Sequence, residues 1–310
     1  MKFLVTGGGG FIGSNIVEYL LLKGHFVRTI DNFLTGKKEN LSEFKDDIEI
    51  IEGDIRDYRT VQKAVNGMEI ILHQAAVRSA DKLIETTETN ITGTVNLLEA
   101  AKNNNIRRFI FASSSAVYEN TLEIEKYEGM VLNPFSPYAL SKITGEKFCQ
   151  IYYNSFGLET ISLRYFNVFG PRQEFDSQFV VVIPKFINAV LEGKQPVIYG
   201  DGEQSRDFTY ITNVVMANYL AATSEIKKFG FAANCGCHDR LTLNQLVDSI
   251  NEILHSEIFP IYSEPDRKDP QHSFANINLA EKMFGYKPSV NFREGLEKTV
   301  GYFKQKLFRM

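Results

Sequence analysis

Tryptophan is absent from this 310-residue chain, and cysteine occurs only at Cys149, Cys235 and Cys237. An odd count in so long a chain excludes a disulfide-stapled miniprotein, and no histidine cluster or second cysteine pair completes a zinc site. Cys235 and Cys237 therefore read as packing residues, and no metal is expected. Long apolar runs are missing too: none reaches the roughly 18 residues of a membrane span. The apolar N-terminus is broken by four glycines and lacks the basic flank and cleavage site of a secretion signal. A cytoplasmic protein with no membrane partner is expected. Nor is there a run of Lys or Arg, and 34 basic against 38 acidic residues leave a net charge of −4. That argues against a sequence-independent hold on nucleic acid and points to a small-molecule partner.

What is present is ample material for a core, with 44% apolar residues, in a length that suggests about two domains. The first 170 residues alternate short β-branched runs with segments of helical period. Strands are expected at Lys2–Thr6, Val27–Asp31, Ile48–Gly53, Ile70–His73, Arg108–Ser113 and Thr160–Phe166. Between them, helices are expected at Ser14–Lys23, Asp57–Asn66, Asn90–Asn103 and Tyr138–Phe156, three of them stopped by Gly24, Gly67 and Gly157. Parallel strands need crossovers, so this pattern predicts an α/β, doubly wound parallel sheet whose ligand lies beyond the strands' carboxyl ends. Residues 171–310 are punctuated by seven prolines and read as a smaller, irregular substrate-binding part. Its helices are expected at Pro184–Glu192, Ile211–Ser224, Leu243–His255 and Arg293–Lys306, the third N-capped by Thr242. No linker separates the halves, so the chain is free to cross between them more than once.

Strand Lys2–Thr6 runs directly into Gly7-Gly8-Gly9-Gly10-Phe11-Ile12-Gly13 and then a helix, with Gly7, Gly10 and Gly13 spaced as GxxGxxG. Glycine is needed where the turn is tight and a pyrophosphate approaches the backbone; the helix N-terminus then offers free N–H groups to the phosphates. The second strand ends at Asp31, where a carboxylate accepts hydrogen bonds from an adenosine ribose and repels a 2′-phosphate. With no arginine close behind, only Asn32 and Lys37, the cofactor expected is NAD rather than NADP. Gly53-Asp54-Ile55 follows the third strand, where an acid is within reach of the adenine amino group.

Tyr138 and Lys142 are i and i+4 on one helix and share a face. Tyrosine is ordinarily too weak a base, but a neighbouring ammonium and an oxidised nicotinamide favour its phenolate. Ser113-Ser114-Ser115-Ala116-Val117-Tyr118 closes the fifth strand at the same sheet end, where a serine hydroxyl can hold a substrate oxygen and relay its proton.

On these residues the chain resembles the extended short-chain dehydrogenases/reductases, and within them the nucleotide-sugar 4-epimerases that act on UDP-hexoses. The likeness also includes His73-Gln74-Ala75-Ala76, Asn90, the block Arg164–Gln173 and the block Gly200–Phe208. It implies a catalytic set of Ser114, with Ser115 as the alternative hydroxyl, Tyr138 and Lys142. It implies a cofactor set of Gly7, Gly10, Phe11, Ile12, Gly13, Asp31, Asn32, Asp54, Ile55, Ala75, Ala76, Ser113, Tyr138 and Lys142. Asn90 would brace the central helix, and Tyr165 and Val168 would line the nicotinamide site. For the UDP-sugar, it implies contacts from Ser79, Ser114, Ser115 and Asn167, from Tyr199 beside the uracil, and from Arg206 and Arg267 on the phosphates. Ser273 would be a small gate at the sugar's C2 substituent that admits an N-acetyl group. Related dehydratases carry an Asp-Glu pair after the catalytic hydroxyl, and decarboxylases a glutamate. Ser115 and Ala116 stand there instead, which favours epimerisation. Arg78, beside Ser79, could pair with an acidic sugar, so a UDP-uronate epimerase is the alternative, together with a dehydratase using other acid/base groups or an NAD-sensing protein without turnover. Glu119 replaces the glycine usual after Val117-Tyr118. The family's dimers form through two helices per subunit, which here would be Asn90–Asn103 and Tyr138–Phe156, with Phe148, Ile151 and Tyr152 as candidate contacts, so a homodimer is expected.

Overall fold

The computed structural model describes residues 1–78, 82–118, 121, 123–174, 182–264 and 272–308. Strands β1 (Lys2–Thr6), β2 (Phe26–Asp31), β3 (Glu49–Glu52), β4 (Ile70–His73) and β5 (Arg108–Ser114) lead to short β6 (Glu125–Lys126) and then β7 (Glu159–Tyr165). Helices α1 (Phe11–Leu22), α2 (Tyr58–Val65), α3 (Leu83–Thr87), α4 (Gly93–Asn103) and α5 (Pro137–Phe156) lie between them. The second half holds β8 (Val168–Phe169), α6 (Val182–Leu191), β9 (Val197–Tyr199), β10 (Ser205–Arg206), β11 (Thr209–Tyr210), α7 (Ile211–Thr223) and β12 (Phe231–Cys235). It closes with β13 (Leu241–Thr242), α8 (Leu243–Leu254), β14 (Ile261–Ser263), β15 (His272–Ala275), α9 (Asn278–Phe284) and α10 (Phe292–Phe308).

Seven strands form one parallel sheet in the order β12-β7-β5-β4-β1-β2-β3. The chain reverses its direction of winding between β1 and β4, which opens a crevice at their carboxyl ends. Side-chain alternation divides the core. Phe3, Val5, Ile70 and Leu72 pack with Ile16 and Leu20 of α1 and Val214 and Ala217 of α7. Leu4, Ile30, Ile71 and Phe109 face the other way, onto Val61 of α2, Leu97 of α4 and Cys149 of α5. The near-continuous apolar strands follow from this burial on both faces.

Six of the seven strands match the sequence expectation within one or two residues at each end. The seventh, β12, was read as part of the irregular half; it is carried to the sheet edge by pairing with β7 from Phe231↔Ile161 to Cys235↔Tyr165. Conversely β6, from the first half, pairs with β15 in a small sheet ordered β13-β10-β15-β6. The helix expected from Ser14 begins at Phe11, directly after Gly10. The helix expected from Asn90 is preceded by a single π-helical turn, Glu88–Thr92. Thr242 caps α8 as expected, in a capping box with Gln245. Of the residues named for a subunit contact, Tyr152 instead turns into the core with its hydroxyl on Glu99, and Phe148 packs partly against that core. Ile151 is exposed.

Candidate active site

The glycine-rich turn is shaped by close approach. Gly7 has φ +69°, and a Cβ there would lie 2.8 Å from the Ala75 nitrogen; a Cβ on Gly13 would lie 2.1 Å from the Gly7 oxygen. Gly10 N-caps α1 without a side-chain bond, and the first turn of α1 holds no acidic residue. Its N–H groups and positive dipole end therefore suit a diphosphate. Asp31 is buried, with one carboxylate oxygen accepting from the Gly9 N–H and the other from the Phe33 N–H, each at 2.8 Å. Burial raises its pKa, while each oxygen keeps a lone pair for a ribose hydroxyl. Asp31, Asn32, Gly7, Gly10, Ile55, Ala75 and Ala76 line one cavity of about 230 Å³ at the crevice. This cradle fits the adenosine and diphosphate of NAD. Asp54 does not line it: it accepts from Asn32 Nδ2 at 2.9 Å and pairs with Arg56, whose hydrogen bonds hold its pKa down to about 2.

The loop after β4 is held by an ordered chain of hydrogen bonds. Thr94 donates to the Asn90 carbonyl at 2.6 Å, so it accepts from His73 Nε2 at 2.9 Å. Gln74 and Ala75 N–H groups donate to Thr6 Oγ1, whose hydroxyl then donates to His73 Nδ1 at 2.7 Å. His73 is thus a neutral Nε2–H tautomer, its pKa pushed down to about 3 by burial and by the nearby Lys142 charge. Asn90 accepts from Val77 N at 2.7 Å and donates to Val77 O and to Ser141 Oγ, tying this loop to α5. Asn90 is a buried side chain inside the π-helical turn.

Helix α5 begins with Pro137 after Ser136, whose hydroxyl caps the Ala139 N–H, and presents Tyr138 to a second cavity of about 230 Å³. Ser113, Ser114, Ser115, Tyr165, Asn167, Val168, Phe11 and Ile12 line the same cavity. Beneath it, Lys142 is buried, donates to the Ala112 carbonyl at 2.8 Å, and places Nζ 5.5 Å from the Tyr138 ring centre. Burial lowers its pKa, opposed by Tyr138 and Glu146. Arg78 lines both cavities, with Cζ 6.0 Å from the Tyr138 ring centre.

The residues expected around the nucleotide are not all gathered here. Arg206 lines a third cavity of about 280 Å³, which shares Phe208 with the Tyr138 cavity. Tyr199 is exposed on β9 and lines none of the three. Ser273 pairs with Arg206 across β15 and β10 and likewise lines none. Ser79, Glu119 and Arg267 lie outside the described residues. Sequence reasoning missed Phe208, Gln173 and Ile183 in the Tyr138 cavity and Gln74 in the other. Phe208, Gln173 and Gln74 stand inside the motif blocks that carry the resemblance; Ile183 carries no signal.

The family model for the NAD dependent epimerase/dehydratase family matches residues 3–236. A solved UDP-N-acetylglucosamine 4-epimerase of Methanobrevibacter ruminantium M1, in complex with UDP-N-acetylmuramic acid, is 39% identical with a TM-score of 0.92, over 98% of both chains. The UDP-glucose 4-epimerase of Thermotoga maritima, solved with UDP-glucose, is 33% identical with a TM-score of 0.92, over 99% of this chain and all of the other. A UDP-N-acetyl-alpha-D-glucosaminuronate decarboxylase of Bacillus cytotoxicus is 34% identical over 98% of both chains. With its glycine cradle, its buried strand-end aspartate and a model match over most of its length, this chain belongs to the NAD dependent epimerase/dehydratase family.

Proposed function

We propose that this enzyme inverts C4 of a UDP-hexose through a transient 4-keto sugar. When bound, NAD supplies the acceptor and donor of the C4 hydride. Tyr138, as phenolate, removes the 4-hydroxyl proton and later returns it, and Ser114 holds the same oxygen. Lys142 keeps a cation one helical turn below the phenol and would bind the nicotinamide ribose. Tyr165 and Val168 wall the nicotinamide side, Asn167 holds the uridine diphosphate, and Arg206, in the adjoining cavity that shares Phe208, would meet its phosphates if the ligand extends there. The keto sugar would turn over about its phosphate linkage and be reduced at the opposite face of C4, with no net redox.

The observation that carries this reading is the lining of the Tyr138 cavity. Among the described residues it offers hydroxyls, amides, apolar walls and Arg78, and no carboxylate. Dehydration or decarboxylation would call for an acid/base beyond the hydroxyls, and Ser115 lines the wall where the resemblance implies it in those relatives. Arg78 supports a second reading, in which the hexose is acidic, as in the ligand of the methanogen relative and the name of the decarboxylase.

NMR of UDP-Glc, UDP-GlcNAc and UDP-GlcA incubated separately with the protein tests both. A new galacto-configured anomeric signal is expected in at least one tube, and loss of water or carbon dioxide in place of epimerisation would overturn the proposal. If UDP-GlcA is turned over, Arg78→Met should lower kcat/KM for it by about tenfold or more and spare the neutral sugars.

A homodimer through α4 and α5 accompanies this reading, supported by the exposure of Leu140, Ile151 and Phe156 along α5. Sedimentation should give twice the 35.2 kDa chain mass; a monomer at micromolar concentration would contradict it.

A further inference from the structure

Behind the Tyr138 cavity lies a buried polar cluster that meets its lining only at Ser113. Glu146 follows Tyr138 and Lys142 at successive i+4 steps, so all three share one face of α5. Its carboxylate is held by Arg164 of β7 in a two-pronged pair, Nε to Oε1 at 2.8 Å and Nη2 to Oε2 at 2.7 Å. Both side chains are buried, so removing either partner would strand a charge. Two more hydrogen bonds end on this pair. The Ser113 hydroxyl donates to Glu146 Oε1 at 2.5 Å. Arg164 Nη1 donates to the Tyr118 hydroxyl at 2.6 Å, which donates in turn to Asn234 Oδ1 of β12 at 2.8 Å. Ser113 and Tyr118 are the two ends of the turn that carries Ser114 and Ser115.

We propose that the Glu146–Arg164 pair is a positioning device that fixes both ends of the Ser113–Tyr118 turn against α5 and so sets the geometry between Ser114 and Tyr138. The proposal rests on the reading of Ser114 and Tyr138 as the reacting residues. Glu146, Arg164 and Tyr118 are absent from the cavity lining and act only through the turn. Ser113↔Arg164 and Ser114↔Tyr165 are register partners on adjacent strands, so the pair sits directly beneath the site.

Tyr118→Phe and Glu146→Gln, singly and together, test this. The first keeps the ring packed 6.2 Å from Phe166, and the second keeps an oxygen for Ser113. Each is measured for kcat and KM with the UDP-sugar the wild type epimerises, for bound NAD and for melting temperature. The expected result is a fall in kcat of about 10- to 100-fold with KM within about twofold and NAD retained. The double variant should fall little below the worse single, because both release the same turn. Unchanged kcat in the folded variants, or a loss that merely follows lost NAD or lost folded protein, would overturn the proposal and leave the pair a fold element only. If Glu146→Gln does not fold, Tyr118→Phe decides alone, since it leaves the ion pair whole. Tyr138→Phe run in parallel separates the two failures. If it is inactive while Tyr118→Phe is fully active, positioning alone falls; if it is active, the underlying reading falls.

Discussion

Tyr138→Phe is expected to lower turnover by about 10²- to 10⁴-fold, the usual range for losing a positioned acid/base group. The change removes one hydroxyl and leaves the ring between Arg78, 6.0 Å away, and Lys142, 5.5 Å away. It opens no gap in the core, because the tyrosine lines a cavity at the start of α5. Binding of UDP-sugar and of NAD should therefore stay within a few-fold of wild type, so that the loss falls on kcat rather than KM. Comparing single-turnover rates with equilibrium titration of UDP checks this split. A near-wild-type rate would remove Tyr138 from the chemistry.

Gly13→Ala should abolish tight NAD binding, weakening it by at least about 100-fold, or roughly 2.7 kcal/mol. The added methyl would stand 2.1 Å from the Gly7 oxygen and 2.8 Å from its carbonyl carbon, and backbone cannot swing aside as a side chain can. That oxygen also accepts the Gly10 N–H at 3.0 Å, the bond that closes the turn. Relieving the clash opens the turn and moves the N–H groups away from the diphosphate. Gly301→Ala is the matched control: it lies in α10 with nothing beyond its own stretch of helix within 4 Å of the new methyl, and helix propensity favours the change. Titration of NAD into both should show loss in the first and wild-type affinity in the second.

The parts of the fold that could be read from sequence are those set by local pattern. β1 and β4 fall where the apolar runs placed them, because a strand buried on both faces must be continuously apolar. The glycine turn, Asp31 and the Tyr138/Lys142 pair were legible for a similar reason: each is a short segment whose chemistry dictates residue type. What escaped depends on distant partners. β12 is five residues in a proline-punctuated region, and only pairing with β7 makes it a sheet strand. The π-helical turn contains Asn90, whose side chain is tied to Val77 and Ser141. Nothing in the local pattern marks Glu146, since its partners Ser113 and Arg164 lie 33 and 18 residues away. Tyr199, placed by resemblance beside a uracil, stands exposed on β9 outside the three cavities, and Ser273 likewise lines none of them.

The central claim is inversion at C4 by removal and return of the same hydride within one closed site. Its most direct test is UDP-hexose carrying deuterium at C4, incubated in ordinary water with the purified protein and followed by NMR and mass spectrometry. The account predicts a C4-inverted product that keeps its deuterium at C4. Washout of that deuterium into solvent, or a product that has lost water or carbon dioxide in place of inversion at C4, would contradict it.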